Sequence, residues 1–451
     1  MASTYLSRTQ TSGNSKTFTY SGWLKRGNPT AGERPFFTAS SDSNNRSSFM
    51  FESGDTLRLY NIDGGSVNVN LITTQLFRDY SAWYHIVLAV DTTQATASDR
   101  VKFYVNGEQV TSFSSSTYPN QNVNMKMNSA ISHLLGHAPF SGSYYDGSMA
   151  HVHFIDGTAY DASAFGETDA TTGIWKAKTA PSVTYGTNGF FLKFQNSGSM
   201  GTDSSGNANN FTVNGTMTQT VDTPSNVFAT LNAVDYAGGA TYSLGNTRVL
   251  IGSTALRSCR STLGMGAGKY YWEVKLTAQS GSLNRWRVGI TNRGSRDEAE
   301  ASGFNLGIGL YEYAWNVDNG GIINNNSGVA TYSTCTTNDI CSLALDLDNN
   351  KLYFAKNGTW QNSADPSAGT GGLSITDVAS VNEDGAYFFA VGKNDGTFTY
   401  TLDCNFGNGY FGTTPVSSAE NPDDGIGIFE YAVPTGYKAL CTKSINAQEY
   451  S

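Results

Sequence analysis

Charge is what this chain has least of. Asp, Glu, Lys and Arg make up 14% of its 451 residues, against roughly 25% in an average soluble domain. The 28 Lys and Arg form no basic run, and the formal net charge is −9. That excludes a nucleic-acid binder, which needs clustered cations facing phosphate, and it removes attraction to an anionic membrane surface. Long apolar runs are missing as well. No stretch approaches the roughly 18 residues that would span a bilayer, so no membrane insertion is expected. The opening Met1-Ala2-Ser3-Thr4-Tyr5-Leu6-Ser7-Arg8 lacks the basic and apolar regions of a signal peptide. No heptad run exists, which excludes a coiled-coil stalk. Cysteine is sparse: Cys259, Cys335, Cys341, Cys404 and Cys441 form an odd set without a CxxC pair. Neither a disulfide framework nor a zinc site fits that pattern. Buried free thiols do, and Cys335 and Cys341 are near enough in sequence to meet across a hairpin.

What the chain has in place of charge is aromatic residues, 12% of the total, and 49 glycines. Together with abundant Ser, Thr and Asn, these indicate β-strands joined by tight turns. The length allows two or three domains. All five histidines (His85, His133, His137, His151, His153) precede residue 155, while all cysteines lie in the second half, which suggests two units of different ancestry. The polar, proline-bearing stretch 216–226 shows no period and reads as the seam between them. In the first half, residues 83–91 read as a buried strand. After a loop, 101–105 is followed by Asn106-Gly107, the type I′ hairpin dipeptide, and 108–113 returns. The second half repeats the device: 340–348, Asn349-Asn350, 351–356, Asn357-Gly358, Thr359-Trp360. Helical period is nearly absent, with single turns expected at 161–165 and 296–301. The fold class is therefore all-β, two antiparallel β-sandwiches in tandem.

The residues that carry this pattern resemble known families. Phe18-Thr-Tyr20-Ser-Gly-Trp23-Leu24, Trp83-Tyr-His85 through Asp91, Lys102-Phe-Tyr-Val-Asn106-Gly107 and Gly147-Ser-Met-Ala-His151-Val-His-Phe154 resemble a laminin-G-like, concanavalin A-type jelly roll. Lys269-Tyr-Tyr271-Trp272-Glu273-Val274, Arg287-Val-Gly289-Ile290, Asp346-Leu-Asp348 through Asn357-Gly358, and Tyr387-Phe-Phe389-Ala resemble a SPRY domain. Three phrases, Asp203 through Val213, Asp222-Thr-Pro224 with Phe228 through Asn232, and Pro434 through Thr442, are similar to stretches of large structural proteins of marine tailed phages. That resemblance implies a virion protein, often a fibre or receptor-contact component. It also implies synthesis in the host cytoplasm and other virion proteins as partners. Assembly as a homo-oligomer is expected, a trimer before other states.

Catalytic patterns are weak. Retaining glycanases of concanavalin A-type fold place carboxylates at alternate positions of one strand face, roughly 5–5.5 Å apart. The nearest approach here, Glu167-Thr-Asp169, lacks the third carboxylate and sits in turn-like sequence. Asp63 and Asp91 are candidates for calcium through the laminin-G resemblance, but no spaced acidic loop accompanies them. Turn hydrogen bonding is the better role for Asp91, Asp346, Asp348 and Asp203. His151 and His153 share a strand face without an acidic or thiol partner. No nucleophile elbow or phosphate loop is present. No catalytic residue, metal or cofactor is therefore expected, and the chain reads as no enzyme.

Recognition remains. Sugars are held by aromatic faces and neutral hydrogen-bonding groups. Tyr144 and Tyr145, in Ser141-Gly-Ser-Tyr144-Tyr145-Asp146, and Tyr311, Tyr313 and Trp315, in Tyr311-Glu312-Tyr313-Ala-Trp315-Asn316, are the candidate ligand contacts. The alternative is that these rings fill the core. The expected organisation is a concanavalin A-like sandwich over 1–214, a linker over 215–234, a SPRY-like sandwich over 235–412 and a C-terminal segment, 413–451, packed on the second domain. The expected function is a phage surface protein, a tail-fibre or receptor-binding component attaching to host-surface glycan or protein. A capsid decoration or head-fibre protein is the first alternative, and a glycan depolymerase the second.

Overall fold

A computed structural model describes residues 4–27, 32–235, 239–252, 258–281, 285–292, 305–380, 385–394 and 396–449. The chain is nearly all β and divides into two compact units, 1–219 and 220–451.

In the first unit an eight-stranded sheet runs in the order Phe113–Thr117, Ser66–Thr73, Leu57–Asp63, Asn45–Phe51, Arg34–Asp42, Ser132–Leu135, Tyr5–Thr9, Thr212–Asn214. A six-stranded sheet runs Phe190–Leu192, Gly147–Asp156, Thr17–Arg26, Trp83–Asp91, Val101–Val105, Glu108–Val110. Alternate side chains of both sheets meet in one core. Tyr20 stacks on Phe37 at 5.1 Å between ring centroids, and Phe49 meets Phe103 at 5.2 Å. Asn106 and Gly107 both take positive φ, 49° and 92°, as the type I′ hairpin between Val101–Val105 and Glu108–Val110 requires.

In the second unit a nine-stranded sheet is built on Lys269–Gln279, flanked by Tyr400–Asn405 and Ile340–Asp346, with Lys351–Lys356 next outward. A six-stranded sheet contains Phe388–Lys393, Trp286–Thr291, Tyr313–Asn316, Gly321–Asn324 and Ser327–Thr331. Between them lie Trp272, Trp286, Trp315, Leu343, Phe354, Phe389 and Leu402, all fully buried or nearly so. Asn357 and Gly358 repeat the left-handed pair, φ 47° and 77°.

The outer face of the nine-stranded sheet is also buried. Tyr271, Ala344 and Tyr353 project from it and are covered by Phe429, Tyr437, Ala439, Cys441 and Phe228. Lys438–Ala439 pairs in parallel with Lys269–Gln279. Phe228, Ala229, Leu231 and Ala233 are buried, so the later part of the stretch read as a linker over 215–234 packs within the second unit. Its polar composition hid those four apolar positions. The helix Thr442–Glu449 escaped sequence analysis, being short and mostly polar. The turn at 161–165 is a 3-10 turn, Ala162–Ala164, with the Asp161 side chain accepting from the Ser163 amide. The turn expected at 296–301 lies outside the described residues. Among the described residues no helix is long and apolar enough to cross a membrane.

Candidate functional site

The five aromatic candidates separate sharply. Trp315 is fully buried and meets Phe354 edge-on at 5.8 Å. Tyr313 is buried, with its hydroxyl bonded to Thr376 Oγ1 at 3.1 Å and accepting from the Thr376 amide at 3.0 Å. Neither offers a face to a ligand. The run Tyr313-Ala-Trp-Asn316, read as a loop, is a central strand. Tyr311 is half-buried against the same core. Between it and its neighbours, buried Glu312 holds the preceding loop. Its Oε2 accepts from the amides of Gly307 and Gly309 at 3.0 and 2.9 Å, and its Oε1 from Thr291 Oγ1 at 2.9 Å. This clamp leaves Leu310 exposed at the tip. Tyr145 also turns into the fold. Its hydroxyl donates to the Lys25 carbonyl at 2.9 Å, its ring meets Phe36 edge-on at 6.3 Å, and burial raises its pKa. Tyr145 is an anchor.

Tyr144 is different. It is half-exposed and stacks on His137 at 4.2 Å and 12°, with Tyr5 on the far side of His137 at 4.8 Å. His137 and Tyr144 pair across a hairpin, His137–Ala138 with Ser143–Tyr144, whose tip carries Phe140. The Phe140 ring lies 4.2 Å from the Arg46 guanidinium. Registers place Ser48 opposite Tyr60, Tyr60 opposite Asn70, and Met50 opposite Arg58. Directly paired residues share a sheet face, and this is the face away from Phe49 and Leu59 in the core. Along it Arg58 lies over Tyr60 at 4.3 Å, Arg58 Nε donates to Asn70 Oδ1 at 2.8 Å, and Asn70 Nδ2 donates to Ser115 Oγ at 3.0 Å. The result is a half-exposed run of Phe140, Arg46 and Tyr60 with Asn70 and Ser115 beyond it, while half-exposed Tyr144 sits on the same hairpin as Phe140. Sequence reasoning found only Tyr144. The signal for the others is alternation: Arg46, Ser48 and Arg58, Tyr60 fall between buried Ser47, Phe49 and Leu57, Leu59.

A second cluster pairs a serine with a histidine. Ser21 Oγ and His85 Nε2 are 2.9 Å apart. Trp175 Nε1 donates to His85 Nδ1 at 3.0 Å, so the bare nitrogen is Nδ1. Burial pushes the imidazole pKa down to about 3. The neutral ring therefore carries its proton on Nε2 and donates to Ser21. A base for serine needs the opposite arrangement, with Nε2 accepting. Ser21 is also fully buried. Gly107 makes room for this Trp175 roof: a Cβ there would stand 2.7 Å from the indole.

His151 and His153 both lie against Phe191, at 5.8 and 3.9 Å. His153 Nδ1 is bonded to the Tyr185 hydroxyl at 2.9 Å, and burial depresses both imidazoles. Among the described residues no group of three or more His, Cys, Asp or Glu is placed to hold a metal ion. Asp91 accepts from Thr93 and Gln94, and Asp63 pairs with Lys126 at 2.6 Å. Glu167 and Asp169 share Lys176, at 3.5 and 3.0 Å, on the surface. Cys335 and Cys341 do meet, sulfur to sulfur at 3.4 Å, as free buried thiols.

The three stretches at 203–213, 222–232 and 434–442 are used inside the molecule. Asp203 accepts from the Phe191, Ser205 and Asn209 amides, while Asn207 and Asn209 side chains donate to the Gly189 carbonyl. Residues 227–229 and 440–442 bond to each other, Ala229 N to Leu440 O and Thr442 N to Val227 O, both at 2.9 Å. These phrases close the two units.

Comparison with known proteins assigns each unit. Residues 2–164 match the model of the concanavalin A-like lectin/glucanases superfamily, in its laminin G-like form, and residues 269–374 match the SPRY domain. The chain thus carries a concanavalin A-like domain followed by a SPRY domain. Arg46, Tyr60, Phe140 and Tyr144 all fall within the first match. Among solved structures, the SPRY domain of human HERC1 is 14% identical, covering 39% of this chain and 96% of that one, with a TM-score of 0.31. The TRIM65 PSpry domain is 16% identical (39% and 91%, TM-score 0.27). A heptameric SAP-like pentraxin from Limulus polyphemus is 17% identical (35% and 71%, TM-score 0.26). Comparison with curated proteins gives no match.

Proposed function

We propose that this chain is a non-enzymatic adhesion protein of a tailed-phage particle, a tail-fibre or receptor-binding component that attaches to a host-surface glycan through its first unit. The observation that carries the reading is a pair of half-exposed rings, Phe140 and Tyr60, held on either side of Arg46, with the neutral Asn70 and Ser115 beyond Tyr60 and half-exposed Tyr144 on the Phe140 hairpin. Aromatic faces cover the apolar side of a sugar ring, while amides and hydroxyls answer its hydroxyls without the desolvation cost of charge. Such contacts are individually shallow, and several copies per particle raise them to useful avidity.

Adhesion fits better than hydrolysis because Glu167 and Asp169, the nearest approach to an acid pair in the sequence, are both spent on Lys176. The exposed large aliphatics among the described residues (Val67, Leu76, Ile174, Val213, Val234, Leu250, Leu310, Val329) sit on separate elements, which favours adhesion over a broad apolar contact with a capsid shell. Gold-labelled antibody against the chain, viewed on intact particles by electron microscopy, tests the location. Label at tail or fibre tips is expected. Label spread over heads makes the chain a decoration protein, and unlabelled particles overturn the virion reading.

A further inference from the structure

The five cysteines all lie in the second unit, buried and free. Two of them touch. Cys341 Sγ stands 3.4 Å from Cys335 Sγ, about 1.4 Å beyond the length of a disulfide bond. Their settings differ. Cys341 belongs to the strand Ile340–Asp346, paired with Val274 on one side and Lys356 on the other. Cys335 lies in the segment that carries the chain from the edge strand Ser327–Thr331 of the six-stranded sheet to that inner strand of the nine-stranded one. Ser333, Thr334, Thr336 and Asn338 are exposed, and Cys335 is the one buried residue from Ser333 to Asp339. Hydrogen bonds hold this segment more than packing does. The Cys335 amide donates to the Val317 carbonyl and the Asn338 amide to the Leu276 carbonyl, both at 2.8 Å, and Asp339 accepts from the Thr336 amide at 2.8 Å. Lys356 Nζ ties its two ends, donating to the Thr334 carbonyl at 2.8 Å and pairing with Asp339 at 3.0 Å.

A surface segment held by hydrogen bonds opens more readily than the core strands beneath it. Lifting it bares Cys335, while Cys341 stays within its ladder. We propose that Cys335 and Cys341 form an oxidisable dithiol, which closes into a disulfide and staples the crossing between the two sheets of the second unit. The inference stands apart from the adhesion reading. The oxidant is a small-molecule disulfide such as oxidised glutathione. Cys335, as the thiolate in the opened segment, attacks one sulfur of the oxidant. The other sulfur leaves as a thiolate and takes up the proton that Cys335 gave up. As the segment settles back, Cys341 attacks the Cys335 sulfur of the mixed disulfide, and its proton goes to the second departing thiolate. Two protein thiols are thereby oxidised, and one disulfide of the oxidant is reduced to two thiols. The order follows from burial. Desolvation holds the Cys341 thiol well above its ordinary range, so it reacts only with a sulfur brought to it.

The test exposes the full chain to oxidised glutathione, blocks the remaining thiols with N-ethylmaleimide in denaturant, and maps the peptides by mass. Cleavage before Asp339 parts the two cysteines, so their peptides stay joined only if the sulfurs are bonded. The expected result is a Cys335–Cys341 pair that dithiothreitol releases, with Cys259, Cys404 and Cys441 still free. The oxidised chain should melt about 5 °C higher in its second unit and exchange amide hydrogens more slowly over 332–341. In Cys341→Ala the glutathionyl adduct should be trapped on Cys335, while in Cys335→Ala Cys341 should stay unmodified. If both thiols remain free in the parent chain, after native exposure and after refolding in the oxidant, the dithiol is wrong. A crosslink to any other cysteine overturns the pairing, and a lower melting temperature on oxidation overturns the staple. An adduct on Cys341 in Cys335→Ala overturns the order of attack. The parent map needs no substitution, so a variant that fails to fold leaves the pairing decided.

Discussion

In the first unit the outer face of the larger sheet stands half in water, carrying Tyr60, Arg46, Arg58 and Asn70. In the second unit the outer face of the larger sheet is roofed by residues 426–441 and 228. Both are antiparallel sheets over an aromatic core, so the difference does not come from the core. It comes from what the alternate positions carry. Lys269–Gln279 is apolar on both faces, with Tyr270, Trp272 and Val274 inward and Tyr271 outward. Such a strand requires a cover. Asn45–Phe51 and Leu57–Asp63 send Phe49, Leu57 and Leu59 inward, while their other face is largely polar, with Met50 buried among half-exposed Arg46, Arg58 and Tyr60. A sandwich that must be sealed loses that face for recognition, leaving loops such as the Leu310 tip. A sandwich that stays polar keeps a broad surface.

The roof is fastened by one buried carboxylate, and removing it has the largest expected effect. Glu273 Oε1 accepts from the Tyr271 hydroxyl and the Tyr431 amide, at 2.9 and 3.0 Å. Its Oε2 accepts from Asn405 Nδ2 and the Glu430 amide, at 3.1 and 2.9 Å. Burial pushes its pKa up to about 7 against the pull of these four donors. In Glu273→Gln an NH2 group would face the Glu430 or the Tyr431 amide, donor against donor, at a cost of about 3 kcal/mol. Hydrogen exchange should rise in peptides spanning 405–441 and stay unchanged in those from 5–214. Unchanged exchange under the roof would mean that apolar packing alone holds it.

Acid should divide the units next. All the histidines are in the first unit. Burial lowers His85 to about 3 and His133 to about 4, and lowers His153 as well. Between those values and the ordinary 6.5 the unfolded chain binds protons that the folded unit refuses. Stability is therefore full above pH 6.5 and declines below it, by about 1.4 kcal/mol per pH unit for each fully buried imidazole. From pH 6.5 to 5.5, His85 and His133 together remove about 2 kcal/mol. Glu273 works in the other direction. Its raised value contributes stability that is full below about 4.5 and lost as pH rises through about 7. Denaturant melts followed by exchange in each unit should show the first unit weakening, and the second holding, as pH falls from 6.5 to 5.5. Parallel weakening of both units would sink the comparison.

How much of this could be read from the chain follows the range of each interaction. Asn106-Gly107 and Asn357-Gly358 announced their hairpins because two adjacent residues set the turn. The strands Trp83–Asp91 and Val101–Val105 were legible from their own composition. Tyr313 and Trp315 were misplaced because a four-residue aromatic strand with few turn signals resembles a recognition loop. The row on the first unit was invisible because Arg46, Tyr60, Asn70, Ser115 and Phe140 come from five separated segments, and only strand register brings them together. The Ser21–His85 contact spans 64 residues and left no local signal.

The smallest effect is the most discriminating, because it contrasts two neighbours. Tyr144 and Tyr145 were equal candidates in sequence, yet one stacks on His137 at the surface while the other hydrogen-bonds Lys25 within the fold. Successive residues of an extended segment point to opposite sides, so the pair samples both sides of the hairpin at once. Tyr145→Phe removes a buried hydrogen bond and should lower stability by about 1 kcal/mol while leaving ligand affinity as it was. Tyr144→Ala removes a half-exposed ring and should shift stability by less than about 0.5 kcal/mol while weakening polymer binding by several-fold. Calorimetry on both variants, with host-surface polysaccharide and without, gives the four numbers needed. Stability and binding lost together in Tyr144→Ala would place its ring among the supports of the hairpin. The recognition surface would then shrink to Tyr60, Phe140 and the arginine between them.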